Sequence, residues 1–271
     1  MTRPAALRLG VPARGMLAHR TLPQLLAPDR LVPGRRRDVD VLLAWGRRPS
    51  ALWVERLARH WDLPVWHLED GLLRSVAKGR EHPPLTLLVD ELGVYFDATA
   101  PSRIEQLIAA PITVAEADRA SSLQRLWREQ RLSKVNPSVE AEAPQEPYVL
   151  VVDQSAGDRS ISLGLADASS FRRMLQAALD DHPDCTVVLK VHPDVISGRA
   201  RGHFSGKDLA HPRVRLSADG GHPARLLERA RAVYVVTSQM GFEALLWGRP
   251  VHCFGMPFYG GWGLTLSLIH I

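Results

Sequence analysis

The chain has 271 residues, 45% of them hydrophobic and 23% charged, an ordinary composition for a globular protein of one large or two medium domains. Its net charge of +5 comes almost entirely from arginine and fits an anionic small ligand or an anionic membrane surface, and no nucleic-acid-binding motif accompanies it, so we expect no nucleic-acid partner. Two cysteines, no signal-peptide pattern and no apolar stretch of membrane-spanning length predict a cytoplasmic protein that meets a membrane only peripherally.

The first half of the chain contains a predicted β-α-β unit. A short helix at residues 21–26 precedes a strand-like run at 39–45, an amphipathic helical run at 51–61 and a second apolar run at 63–68. Ser50 stands before the second helix as a favourable N-cap. A strand, a helix and a strand in this order predict two parallel strands.

Two adjacent acids, Glu69 and Asp70, end the second strand of this unit. Neighbouring carboxylates at the mouth of a parallel sheet can supply a group for general acid-base catalysis, because each perturbs the proton affinity of the other. The same two residues, followed by Gly71, also fit a capped turn. The spacing leaves both interpretations open.

Residues 85–147 carry a less regular pattern. Two strands and two helices are predicted there, at 85–89, 94–96, 101–108 and 114–132. Residues 133–147 contain three prolines and several acids, which predicts a linker. We therefore expect two domains, at residues 1–138 and 148–271.

A second alternating block follows this linker. Its predicted strands and helices lie at 148–152, 169–180, 187–191, 214–216, 224–231, 232–236, 239–247 and 250–254. Two α/β halves joined by a linker predict a ligand cleft at the carboxyl ends of the strands.

The polar end of the strand near residue 190 is the most informative feature of this block. Lys190 and His192 are two residues apart, so on a strand they would point to the same face, and Pro193 would end the strand. A cation and an imidazole delivered together at a strand end suit a ligand site. A solvated strand-end histidine is the competing interpretation.

Thr237 and Ser238 lie between an apolar strand and a helix that begins at Gln239. Hydroxyls and free backbone N–H groups at a helix N-terminus form an anion site, so together with Lys190 and His192 they suggest a phosphate held without a metal. An N-cap role for Ser238 is compatible with this. Glu243, one turn further on, can accept hydrogen bonds from ribose hydroxyls or can be a solvated helix residue.

Asp153 ends a third buried strand, and Gln154 and Gly157 lie in the loop after it. The carboxylate suits a nucleophile, a base or a cap for this loop, and the glycine lets the backbone approach a ligand closely. Tyr259 and Trp262 belong to an aromatic, glycine-rich segment that suits a cleft-lining loop or a packed turn.

Several common catalytic motifs are missing from the sequence. No cysteine or histidine cluster has zinc spacing, so we expect no metal at the site. A P-loop and a GxGxxG fingerprint are also absent, which counts against an ATPase or a dinucleotide oxidoreductase, and there is no GxSxG elbow.

Eight sequence blocks carry a family resemblance. They are AWGRRPSA, LEDGLLRS, GVYFDATAPSRIE, LSKVN, VLVVDQSAGDRSISLG, VLKVHPDVISG, VYVVTSQMGFEALLWGRPVHCFG and MPFYGGWGLT, and they lie within residues 41–265. In this order they resemble the capsule polysaccharide β-Kdo transferases of the KpsC/LipA type. The resemblance implies a GT-B-like α/β fold of two Rossmann-like domains with a cleft between them, the acceptor side at 1–138 and the nucleotide-sugar side at 148–271.

The resemblance also implies a reaction. Its donor is CMP-Kdo, no other cofactor is needed, and the acceptor is a Kdo-primed lipid of the phosphatidylglycerol type at the cytoplasmic face of the inner membrane. Donor and product are both β, so transfer is retaining, and related enzymes use double displacement. A capsule biosynthesis and export complex is an expected partner. A UDP-sugar transferase or epimerase, and an inactive nucleotide-binding module, are the alternative functions.

The resemblance also implies catalytic and binding roles for individual residues within the matching blocks. Asp153 would be the nucleophile, and the pair Glu69 and Asp70 would contain the acid/base. The expected donor-nucleotide contacts are Lys190, His192, Pro193, Thr237, Ser238, Gln239 and Glu243. The expected sugar or acceptor contacts are Arg74, Gln154, Gly157, Tyr259 and Trp262.

The end of the chain departs from the family pattern. Residues 266–271, LSLIHI, replace an expected acidic continuation. We therefore expect a chain that is truncated at its C-terminus and corresponds to one module of enzymes that often carry two.

Overall fold

The computed structural model of the protein describes residues 6–77, 82–204 and 206–267. The chain forms two compact units. Unit 1 comprises Met1–Tyr95 and Ala100–Ala110, and unit 2 comprises Phe96–Thr99 and Pro111–Ile271.

The described part of unit 1 is built on a five-stranded sheet. Its strands are β1 (Arg8–Val11), β2 (Arg30–Pro33), β3 (Val41–Trp45), β4 (Val65–Asp70) and β5 (Leu87–Asp90). Its helices are a 3₁₀ helix (Arg14–Ala18), α1 (Leu22–Leu25), α2 (Pro49–Trp61) and α3 (Arg103–Ala109). The strand order is β2-β1-β3-β4-β5, and only β5 runs antiparallel to its neighbour.

The predicted β-α-β unit is confirmed. All five residues of β3 are buried, which explains its continuous apolar sequence, and β3 pairs with β4 in parallel. Between them α2 packs Ala51, Val54 and Ala58 inward, and its C-cap residue, Asp62, adopts the left-handed conformation.

The structure differs from the sequence analysis at two places in the first 100 residues. The first 37 residues contain β1 and β2, which the sequence pattern did not predict because each strand has four residues and a proline at or beside its end. Residues 94–96 form a turn rather than a strand. The cause is Asp90, whose Oδ1 accepts from the backbone N–H groups of Leu92 and Gly93 and so turns the chain.

The described part of unit 2 contains a six-stranded, fully parallel sheet. Its strands are β6 (Tyr148–Val152), β7 (Thr186–Lys190), β8 (Val214–Ser217), β9 (Val233–Val235), β10 (Val251–Cys253) and β11 (Leu266–Ser267), in the order β11-β10-β9-β6-β7-β8. Its helices are α4 (Val114–Glu129), α5 (Arg159–Leu163), α6 (Ala168–Asp181), α7 (Pro193–Ile196), α8 (Gly206–Leu209), α9 (Ala224–Arg229) and α10 (Gln239–Leu246).

The core of unit 2 lies around the central strand β6, whose five residues are all buried. Phe171 and Met174 of α6 pack against Val151 and Leu189 on one face of the sheet. A parallel sheet covered on both faces requires such apolar strands, and its ligands bind at their carboxyl ends. None of the helices in the described ranges is long and apolar enough to cross a bilayer.

Helix α4 and the segment after it belong to unit 2. Gln124 donates to the carbonyl of Leu246 at the end of α10 over 3.2 Å. Residues 133–147, the predicted linker, are fastened to the unit, because Ala141 N donates to His222 O over 2.9 Å and Glu140 forms a bridge with the same residue. The predicted boundary at 138 therefore differs from the observed division, which falls after Ala110.

A buried carboxylate joins this segment to α10. Glu243 Oε1 accepts from the backbone N–H of Lys134 over 3.2 Å, and Oε2 is buried with no partner among the described residues. Burial raises the pKa of Glu243 from its usual value of 4.5 to about 7, although hydrogen bonds from Ser133 and Lys134 oppose the shift.

Glu243 should make the stability of the protein depend on pH. An acid whose pKa is raised in the folded state holds more protons there than in the unfolded state, so stability falls as pH rises from about 4.5 to 7. In Glu243→Gln this loss should disappear. Urea unfolding at pH 5 and pH 8 measures the free energy of unfolding of both proteins. Between these two pH values, this free energy should rise in the variant relative to wild type by up to about 3 kcal/mol.

The exposed residue Glu129 provides the matched control for this measurement. Glu129→Gln should follow the wild-type pH dependence. An equal difference between Glu243→Gln and wild type at both pH values would contradict the assigned pKa.

Candidate functional site

The carboxyl edge of the sheet in unit 2 collects most of the predicted site residues. Asp153 follows β6, His192 follows β7, and Thr237 follows β9. These three strands are neighbours in the sheet, so the side chains after them gather at one edge as expected.

Asp153 is held in a closed polar pocket. Its side chain is 2% exposed, and Oδ1 accepts from the backbone N–H of Gln154 over 2.8 Å and of His203 over 3.2 Å. His203 Nδ1 lies 3.2 Å from Asp153 Oδ1 and 3.0 Å from the carbonyl of Gln154. Since both of these oxygens are acceptors, Nδ1 carries the proton and donates to them.

Residues 201–203, here called the clasp, cover this carboxylate. Ala156 N donates to Arg201 O over 2.7 Å, and the His203 ring stacks on Phe171 with centroids 3.7 Å apart and planes 1° from parallel. A Cβ at Gly202 would overlap Asp153 Oδ2, so only glycine fits there without a shift. Nothing in the sequence pattern around residue 203 distinguishes it, and His203 was not predicted.

Gln154 supports the site from within. Its Nε2 donates to Thr237 Oγ1 over 3.1 Å and to Ser160 Oγ over 3.3 Å, and its Oε1 accepts from the backbone N–H of Thr237 over 3.0 Å. Gln154 and Thr237 are both buried. Their polar groups thus join β6 to β9, although we predicted sugar and phosphate contacts for them.

Lys190 and His192 have different partners. Lys190 is buried, its Nζ donates to the carbonyl of Gly221 over 3.3 Å, and burial lowers its pKa. His192 Nδ1 accepts from the backbone N–H of Asp194 and from Ser155 Oγ, each over 3.2 Å, so Nε2 carries the proton. β7 ends at Lys190, so strand alternation does not extend to His192, and Pro193 begins α7.

The start of α10 confirms the expected cap. Ser238 is the N-cap residue, with Oγ accepting from Met240 N over 3.3 Å, and Gln239 is the first helical residue. The buried Tyr259 donates to the carbonyl of Ser238 and packs on Gly241, so it fastens the aromatic segment to α10 as a packed turn.

Three further predicted residues differ in accessibility. Trp262 is exposed, and its indole N–H donates to Phe258 O over 2.8 Å. Gly157 has a φ of +85° in open space, where its backbone is accessible. Glu243 is buried against Lys134, as described above, so it is not a solvated helix residue.

The predicted acid pair of unit 1 is divided by the strand. Neighbouring residues of β4 point to opposite faces, and Asp70 lines a cavity of about 550 Å³ whereas Glu69 lines a separate space of about 70 Å³. The two carboxylates therefore do not form one paired group. Arg74 Nε donates to Asp70 Oδ2 over 2.7 Å and its Nη1 donates to Ser75 Oγ over 2.7 Å, which is the arrangement of a capped turn.

Within the described residues, no group of three or more histidine, cysteine, aspartate or glutamate side chains has the geometry to hold a metal ion.

Comparison with known proteins identifies the family. A family model described as "Capsule polysaccharide biosynthesis protein" matches residues 40–126 and 119–268. The capsule polysaccharide modification protein LipA of Neisseria meningitidis serogroup B is 39% identical over 267 residues, which are 94% of this chain and 37% of that protein. The chain thus spans little more than a third of this relative.

Two solved structures from Thermosulfurimonas dismutans are also similar. KpsC, described as a beta Kdo 2,4 transferase, is 38% identical with a TM-score of 0.87, covering 96% of this chain and 83% of that chain. KpsC, described as a beta Kdo 2,7 transferase, is 25% identical with a TM-score of 0.67 and the same coverage.

These matches confirm the resemblance carried by the sequence blocks. The two units, each built on a largely parallel sheet, also confirm the expected GT-B-like α/β fold. The chain belongs to the capsule polysaccharide biosynthesis protein family.

Proposed function

We propose that this chain is a β-Kdo transferase module of capsule synthesis that uses CMP-Kdo as donor and a Kdo-primed lipid as acceptor. The observation that carries the proposal is the 38% identity and TM-score of 0.87 to a beta Kdo 2,4 transferase across 96% of the chain. Because the proposed acceptor is a lipid, the protein would act at the cytoplasmic face of the inner membrane, beside a capsule biosynthesis and export complex. No metal or other cofactor is invoked.

The proposed chemistry is retaining double displacement. A Kdo anomeric centre is tertiary and bears a carboxylate, which favours an oxocarbenium-like transition state that an enzyme carboxylate can capture. An Asp153 oxygen bonds to the anomeric carbon as the bond from that carbon to the CMP phosphate oxygen breaks. An acceptor hydroxyl then displaces Asp153, its proton passing to a base, for which Asp70 is favoured over Glu69 because it lines the larger cavity.

The donor phosphate requires hydrogen-bond donors at the sheet edge of unit 2. Ser238 and Gln239 begin α10, whose first N–H groups favour an anion, and His192 presents a protonated Nε2. Lys190 and Glu243 are buried, so we assign them a supporting role beneath the nucleotide rather than an open contact surface.

The nucleophile role requires the clasp to open. In the structure the Asp153 carboxylate is enclosed by Gly202 and His203, and a sugar carbon cannot reach it. Donor binding would therefore have to displace residues 201–203.

The decisive assay supplies the protein with a CMP-Kdo-generating system and a Kdo-primed lipid acceptor. We expect mass spectrometry of the lipid to show that Kdo has been added. A parallel reaction with UDP-sugars as donors should add no sugar to the lipid. A folded protein that binds CMP but adds no Kdo, even when extended to the full length of its relatives, would refute the proposed activity.

Asp153→Asn should abolish transfer, by at least roughly a thousandfold, because an amide cannot form the glycosyl intermediate. In wild type without acceptor, peptide mass spectrometry should find a Kdo adduct on Asp153. The exposed Asp180 of α6 gives the control, and Asp180→Asn should retain both activity and adduct. An adduct located on another residue would exclude Asp153 as nucleophile.

Gly202→Ala should open the clasp, because the added Cβ overlaps Asp153 Oδ2. Carbodiimide coupling to glycine ethyl ester measures carboxylate accessibility. We expect Asp153 to be protected in wild type and labelled in Gly202→Ala. Gly206→Ala, whose Cβ would meet nothing within 4 Å, is the matched control and should remain protected. Equal labelling of Asp153 in all three proteins would contradict a closed clasp.

A further inference from the structure

One face of the unit 1 sheet is covered by a layer of two chain segments. Helix α2 packs Ala51, Val54 and Ala58 against the strands, and residues 34–40, which join β2 to β3, lie beside the helix. The outer side of this layer is here called the basic face. It is made of exposed and half-buried side chains from residues 35–38, 52, 53, 56 and 59–62.

Two arginine–tryptophan pairs join the two segments. The guanidinium of Arg35 lies 4.6 Å from the centre of the Trp53 ring, and that of Arg37 lies 5.6 Å from the centre of the Trp61 ring. Both distances are short enough for a cation–π interaction. The two tryptophans are eight residues apart on α2, so they lie on the same side of the helix. Two half-buried indoles, each covered by a cation, therefore stand at the protein surface.

The exposed stripe of α2 continues this surface. Arg56 and Arg59 are exposed, and neither forms an ion pair with any residue in the described ranges. Leu52, one turn before Arg56, is 42% exposed. Glu55 is directed away from the stripe, because it pairs with Arg47 over 2.9 Å. The stripe thus combines unpaired cations with an exposed apolar side chain.

The basic face holds much of the positive charge of the protein. It contains five arginines and two acids, Asp38 and Asp62, which leaves a charge of +3 out of the chain's net +5. Asp38 accepts from Arg36 Nε over 2.9 Å and from Arg8 Nη2 over 2.7 Å, so its charge is compensated from both sides. The remaining arginines of the face are free to attract an anionic partner.

The mixture of side chains favours the surface of an anionic bilayer as that partner. Arginine is attracted to anionic headgroups, whereas tryptophan and leucine favour the boundary between headgroups and acyl chains. A site for single-stranded nucleic acid would instead need open aromatic rings on which bases stack. Here Arg35 and Arg37 lie over the rings of Trp53 and Trp61.

We propose that the basic face docks unit 1 on a membrane rich in anionic phospholipid. Its arginines pair with lipid phosphates, and Leu52 and the two tryptophans lie at the headgroup boundary. The inference deepens the proposed function and rests on it, because the lipid acceptor is what brings a membrane to this protein. The basic face includes none of the residues assigned to the donor or to the acceptor sugar.

The test measures binding of the protein to lipid vesicles by co-sedimentation. One set of vesicles contains phosphatidylcholine alone, and the other contains equal parts of phosphatidylcholine and phosphatidylglycerol. We expect wild type to bind the phosphatidylglycerol vesicles at least about tenfold more tightly than the neutral ones. Added salt should weaken this binding, because it screens the attraction between exposed charges.

Arg56→Gln/Arg59→Gln should bind the phosphatidylglycerol vesicles about 25-fold more weakly than wild type, since each arginine near an anionic membrane contributes about fivefold. Glutamine has a helix propensity close to that of arginine, and both positions are exposed, so the fold is retained. Leu52→Gln should weaken binding about threefold through the loss of an apolar contact. Unchanged binding of Leu52→Gln would contradict its place at the headgroup boundary.

Arg119 and Arg125, exposed on α4 of unit 2, give the matched control. Arg119→Gln/Arg125→Gln removes the same charge and should bind the phosphatidylglycerol vesicles as wild type does. An equal loss in both double variants would show that binding follows net charge alone and would overturn the inference. Equal binding of wild type to both kinds of vesicle would overturn it too, as would tighter binding to single-stranded RNA than to phosphatidylglycerol vesicles at the same salt concentration.

The vesicles contain no Kdo, so docking and catalysis can fail separately. Binding to phosphatidylglycerol vesicles that depends on Arg56 and Arg59, in a protein that transfers no Kdo, would support the docking surface and refute the transferase activity. Wild type that transfers Kdo to a lipid acceptor in vesicles, but shows no preference for phosphatidylglycerol and no loss of transfer in Arg56→Gln/Arg59→Gln, would refute the docking surface alone.

Discussion

The parallel pairing of β6 with β7 and β9 is the constraint on which the candidate site depends. Val152 pairs in register with Lys190, so β6 and β7 end together, and β9 ends beside them. Asp153, His192 and Thr237 follow these ends and so lie at one edge. Because β6 is apolar throughout and fully buried, the hydrophobic core fixes where the polar groups of unit 2 gather.

The burial of Asp153 is compatible with a catalytic role only if displacing residues 201–203, the clasp, requires little free energy. The carboxylate gains three hydrogen bonds, from Gln154 N, His203 N and the His203 ring. Only the two from His203 belong to the clasp, and hydrogen bonds to a charged group contribute about 1.5–3 kcal/mol each. The apparent affinity of the donor would be reduced by the free energy needed to open the clasp. The proposed nucleophile role therefore requires intrinsic donor contacts that outweigh this cost.

Local pattern predicted the long elements of this fold and missed contacts between distant residues. The apolar runs of β3 and β6 and the amphipathic run of α2 carry their own signal, so they were predicted correctly. His203 reaches Asp153 across 50 positions of sequence, in a segment with no periodicity, and no local rule indicates such a contact. Strand alternation alone, applied to Glu69 and Asp70, would have separated them.

A charged group at a strand edge serves the fold or a ligand according to the partners within its reach. Arg74 lies four residues after Asp70, and at this spacing the two side chains form an ion pair within the turn. The guanidinium of Arg74 is therefore already engaged. Arg48 precedes a proline and a helix, with no described acid in contact, so its charge stays directed to solvent and to the cavity. Gln154 is a second example of a polar group engaged by the fold, because its amide donates to Thr237 and Ser160. Residue type indicates what chemistry is possible at an edge, and the partners already engaged determine which residues can perform it.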